Sequence, residues 1–117
     1  MLIALYFWFQ ATFGGPAALQ DRIESHVEDP ARLAAALVVV EEVEALEQRL
    51  AEQTQRTSEA LRKLHVRHQV SRADYLEVLR PLRVTRRVVS AGLLEARAEL
   101  RKTLTRSEWA KVFSRED

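Results

Sequence analysis

An all-α fold, a long antiparallel helical hairpin with short flanking helices at its base, follows from three observations. Apolar residues recur in a three–four rhythm along two long stretches, residues 30–70 and 71–104. The chain holds only three glycines and three prolines in 117 residues, too few turn formers for a sheet of short strands. A helix start signal stands directly between the two stretches, so one helix begins where the other ends.

The first arm carries its seam at Ala36, Val43, Leu50, Thr57 and Leu64, with Val39, Leu46, Gln53 and Ala60 between them. This is a heptad pattern, the signature of helices that pack at a shallow angle as in a coiled coil. Val40 and Leu61 widen the stripe, and Glu41, Glu44, Gln48, Gln55, Glu59 and Arg62 occupy the opposite face. Asp29-Pro30 opens the arm. The carboxylate accepts from otherwise unpaired amides, and proline has no N–H to lose in the first turn. At 1.5 Å per residue, some forty residues span about 60 Å, which makes this helix an arm rather than a buried core element.

The second arm starts at the capping box Ser71-Arg72-Ala73-Asp74. A connection close to zero length forces an antiparallel neighbour. Its expected seam is Leu79, Leu82, Arg86, Val89, Leu93, Ala96, Leu100 and Thr103. Pro81 should kink it, and Gly92 either weakens it or lets the arms approach closely. Folding the arms at residues 70–71 pairs positions whose numbers sum to about 141 by the short-turn geometry. Arg86 then faces Thr54, Gln53 and Thr57, giving a polar layer within the seam. A buried guanidinium needs such acceptors.

Charge is divided between the arms. Residues 1–60 hold four basic and ten acidic side chains, and residues 61–117 hold fourteen and seven, for a net charge of +1. Mutual attraction of the arms accounts for this division. Nucleic acid is not an expected partner, because the second arm offers only Tyr75 for base stacking. The absence of cysteine excludes disulfides and thiolate chemistry.

Two domains of unequal character result. Residues 1–15 form an apolar, aromatic segment with Tyr6, Phe7, Trp8, Phe9 and Phe13, closed by the breaker Gly14-Gly15-Pro16. Three roles compete for it: a membrane anchor, a signal-type segment, and a packing segment that covers the hairpin base or a second chain. Several hundred Å² of such surface does not stay uncovered in water, so membrane association or a homo-oligomer is expected. Residues 16–117 form the hairpin domain. A short amphipathic helix carries Leu19, Ile23 and Val27 on one face. At the far end, Thr105 and Glu108 make a second capping box, and the helix it opens presents Trp109, Val112 and Phe113 to the base.

The long hairpin closed by Leu104-Thr105-Arg106-Ser107-Glu108, behind an apolar N-terminus, resembles the periplasmic helical family of stress chaperones and heavy-metal-resistance sensors. That family carries a Leu-Thr-x-x-Gln motif; here Glu108 stands at its last position, and a second copy is missing. The resemblance implies a bacterial protein of the periplasm, free or anchored in the inner membrane, that binds a protein partner or unfolded client or senses metal. The alternative is a cytosolic helical adaptor that oligomerises through its aromatic N-terminus.

Chemistry-bearing residues are sparse. His65 and His68, three apart near the hairpin tip, would share a helix face and hold a divalent metal with Asp74 or Glu77. The competing reading is a pair of solvated histidines. Nothing has the pattern of a nucleophile elbow. A non-enzymatic interaction protein without an organic cofactor is therefore expected.

Overall fold

The computed structural model describes residues 15–113. Of these, 87% are helical, and there is no strand among them. Four helices follow in order: α1 (Pro16–His26), α2 (Pro30–His65), α3 (Arg72–Thr103) and α4 (Arg106–Val112). α2 and α3 form the antiparallel hairpin, and α1 and α4 pack against each other at its base, with α1 also against α2. The molecule measures 60 × 28 × 21 Å.

Local chemistry explains each boundary. Gly15 precedes α1 at φ 118°, a backbone conformation that L side chains rarely adopt. The Asp29 carboxylate accepts from the Arg32 amide at 2.9 Å, and Pro30 fills the first turn of α2. Both expected capping boxes form. Ser71 Oγ accepts from the Asp74 amide at 3.2 Å while Asp74 accepts from the Ser71 amide at 3.0 Å. Thr105 and Glu108 repeat this exchange at 3.1 and 2.9 Å.

α2 ends five residues earlier than the periodicity suggests. Residues 66–71 make the connection, and the Arg67 amide turns back to the Leu64 carbonyl at 3.1 Å. A zero-length link cannot reverse the chain between helix axes about 8–10 Å apart, so several residues are spent on the turn. Pro81 lies inside α3 without ending it.

The first-arm seam is as its periodicity implies. Ala36, Val39, Val40, Val43, Thr57 and Leu64 are buried, with Leu46, Leu50, Gln53 and Ala60 half-buried. The second-arm seam differs at one position. Arg86 is exposed and Thr85 takes the buried place, while Thr54 is also exposed and donates its hydroxyl to the Leu50 carbonyl at 2.8 Å. The expected Arg86–Thr54–Thr57 layer is therefore corrected. The polar part of the seam is Thr57, which accepts from Gln53 at 3.3 Å, together with Thr85 and Ser90. Leu82, Thr85, Val89 and Leu93 step by three, four and four, which is an 11-residue period rather than a heptad and suits a straighter helix. That spacing lets the guanidinium stay in water and turns inward a hydroxyl that can bond locally.

The core concentrates at the base. Leu19, Ile23, Val27, Val40, Val43, Val89, Leu93, Leu100, Leu104 and Val112 belong to one buried cluster. A fully buried Leu, Ile or Val contributes about 1.5–3 kcal/mol by area. Toward the tip the seam is thinner and more polar.

Gly92 permits the close approach of the arms. A Cβ built there would stand 2.7 Å from Leu46 Cδ1, so a methyl requires Leu46 to change rotamer. The cost, about 0.5–1.5 kcal/mol, is comparable to the propensity gained over glycine. Gly92→Ala is expected to leave the thermal midpoint nearly unchanged, whereas Gly92→Phe, which adds a ring beyond that close Cβ, should lower it clearly.

Candidate functional site

The side chains singled out from the sequence fall into three groups. Tyr6, Phe7, Trp8, Phe9 and Phe13 lie outside the described residues, so the fate of the apolar segment is not part of the geometry. Trp109 and Phe113 sit at the base, stacked with ring centroids 4.0 Å apart, half-buried against the core cluster. His65 and His68 are at the tip.

The histidines do not share a helix face. His65 is the last residue of α2 and His68 lies in the connection; both are exposed. The His65 ring packs beside Tyr75, with centroids 5.7 Å apart. Asp74 is engaged in its capping box, where the Ser71 backbone amide holds its carboxyl below the usual carboxylate range. Glu77 is paired with Arg80 at 2.9 Å. The shared helix face on which the chelate was expected is corrected: α2 stops at residue 65, so His68 is not on it. Among the described residues no group of three or more His, Asp or Glu is arranged to hold a metal ion.

The base is locked by a pair that sequence reading did not anticipate. Arg32 grips Glu108 in a two-pronged contact, Nε to Oε1 at 3.0 Å and Nη2 to Oε2 at 3.1 Å. Glu108 is buried, while the Arg32 side chain is 40% exposed. The same carboxylate caps α4, so one side chain starts a helix and fastens it to α2, 76 positions away. Arg22 adds a second tie, donating to the Val112 carbonyl at 3.1 Å. The capping box was legible; its outward partner was not, because nothing local marks it.

The Arg32 contact and the Thr105 amide hold the Glu108 carboxyl below its ordinary range. Its stabilisation is therefore full above the unfolded value, about 4.3, and is lost as pH falls through the folded value. Glu108→Gln should lower the Tm by a few degrees at pH 7. That gap should close as the melts are repeated down to about pH 3; a gap constant with pH would mean that the ion pair contributes nothing.

The most distinctive surface is the outer face of α3. Leu76, Val84, Val88 and Leu94 are exposed there, Val84 by 53% and Leu94 by 49%. Leu76, Val84 and Leu94 lie on the side of the helix away from the buried Leu82, Thr85, Val89 and Leu93, Val88 lies at the flank of that side one turn past Thr85, and Arg80, Arg83 and Arg87 stand exposed among them. Apolar side chains at these positions do not serve the hairpin core. No helix among the described residues is long and apolar enough to cross a membrane. Comparison with known protein families, with curated proteins and with solved structures finds no match.

Proposed function

We propose that this chain is a non-enzymatic interaction protein of the bacterial envelope that engages apolar segments of a protein partner or unfolded client along the outer face of α3. The observation that carries this reading is the exposure of four apolar side chains on α3, Leu76, Val84, Val88 and Leu94, set among arginines. Burying such side chains against a partner is favourable by about 25 cal/mol per Å². The interspersed guanidiniums stack on aromatic rings and pair with carboxylates, so they widen the range of segments accepted. A 60 Å hairpin presents this row without enclosing it, which suits extended and varied segments better than one small molecule.

The envelope setting rests on the resemblance to the helical stress-chaperone and metal-resistance family and on the apolar residues 1–9. A cytosolic adaptor is the second reading. It draws on the same Tyr6-Phe7-Trp8-Phe9 run, which a second chain would cover as well as a bilayer does. Cell fractionation separates the two.

The activity is tested by diluting a chemically denatured protein into buffer and following its aggregation by light scattering. The full chain should suppress the signal near equimolar ratio. Val84→Ser, Val88→Ser and Leu94→Ser together should abolish suppression, while leaving the helical circular dichroism and, to within about 0.5 kcal/mol per exposed site, the stability in place. Equal suppression by the triple variant would sink the assignment to this face.

A further inference from the structure

α3 carries a second periodic face besides its seam. Pro81, Val84, Val88, Ala91 and Ala98 are all exposed and fall on one alternation of three and four residues. Glu77 begins this series, Lys102 ends it, and Glu95 is its one interior charge, also exposed. The spacing is heptad, and it runs without a break over about 38 Å of helix. At about 100° per residue it lies roughly 135° around α3 from the buried Leu82, Thr85, Val89 and Leu93. The hairpin therefore makes no use of it, and a second hairpin can approach it without meeting α2. The exposed charges Arg80, Arg83, Arg87 and Arg101 stand together on one flank of it. A helix that served only its own hairpin needs one apolar face and can leave the rest charged.

We infer that this face is the interface of an antiparallel homodimer, in which α3 packs against α3 of a second copy. Antiparallel heptads here pair positions whose numbers sum to about 179. Val88 then meets the partner's Ala91, Pro81 the partner's Ala98 and Val84 the partner's Glu95. At both ends Glu77 meets the partner's Lys102. Glu77 is already bridged to Arg80 at 2.9 Å and Lys102 to Glu99 at 3.6 Å, with all four side chains more than half exposed. Each end thus gathers four charges of alternating sign. Glu95 comes beside the partner's Arg87, and the like-charged Arg80 and Arg101 approach only at the solvent edge, where salt screens them. A parallel pair would set Glu77 on Glu77, Glu95 on Glu95 and Lys102 on Lys102, so charge selects the antiparallel one. The side chains between the ends are small and the contact is one helix wide. It falls short of the roughly 800 Å² per partner of a standard interface, so association is expected at micromolar concentration.

The dimer goes beyond the proposed function but shares Val84 and Val88 with it, so a second copy and a client compete for these side chains. Its test needs no client. Sedimentation equilibrium of the full chain across micromolar concentrations should show reversible association. Lys102→Glu sets a carboxylate on the partner's Glu77 and should weaken association about tenfold. Glu77→Lys should do the same, and the double reversal Glu77→Lys/Lys102→Glu should restore it. Lys63→Glu makes the same charge change on α2 and should leave association unaltered. Circular dichroism checks that every variant is folded. A monomer at all concentrations, a mass that no variant changes, as an assembly through residues 1–13 would give, or a double reversal that fails to restore association would overturn the dimer. The single reversals leave the apolar side chains of α3 in place. Suppression of aggregation should therefore persist in them, which separates loss of the dimer from loss of client binding.

Discussion

Leu93→Ala is expected to destabilise the hairpin by about 2–5 kcal/mol, the cost of a cavity that a rigid seam cannot close. Leu93 is 1% exposed and belongs to the cluster that joins both arms to α1 and α4. It follows Gly92, where an added Cβ would stand 2.7 Å from Leu46 Cδ1. Arg86→Leu provides the contrast. Periodicity would place this side chain in the seam; it is exposed, so its replacement should change stability by no more than about 0.5 kcal/mol. Thermal or urea melts of the two variants decide the register of α3: comparable losses would put Arg86 back in the seam.

Ile23→Asp should have a still larger effect. Ile23 is fully buried between the base helices and the arms. A carboxylate there loses its water without gaining a partner, a penalty above about 4 kcal/mol for the charged form. The pKa would rise in response, so part of the loss should be recovered at low pH. The size of the base cluster decides what unfolds. α1 and α4 hold 11 and 7 residues against 36 and 32 in the arms, so undocking them alone would remove about a fifth of the helical signal. The densest packing lies at that end, and the seam beyond it carries Gln53, Thr57 and Thr85. The expectation is therefore one cooperative transition with a Tm lower by about 15 °C or more, not a separate early loss of the base. A small helical loss followed by an unchanged main melt would show that α1 and α4 are appendages of an independently stable hairpin.

These outcomes bear on how the fold supports the proposed surfaces. The exposed apolar side chains of α3 lie outside the seam and need the packed hairpin behind them.

Features that depend on near neighbours are legible in the chain. The Asp29 cap and the two capping boxes are readable because all their atoms lie within four residues. The first-arm seam is readable because a helix turns at a fixed rate and water excludes apolar side chains at that same rate. Those two facts fix an all-α hairpin and the identity of its base helices. Tertiary structure decided what depends on a distant partner. Between Thr85 and Arg86, both consistent with a three–four rhythm, the choice fell to the residue that loses least on leaving water. The end of α2 at His65 was set by the span needed to bring α3 alongside, and with it went the shared helix face of His65 and His68. The grip of Arg32 on Glu108 crosses 76 positions. The apolar side chains on the outside of α3 show only by remaining exposed once the core is complete. Such features arise from which surfaces meet, and no local spacing encodes that.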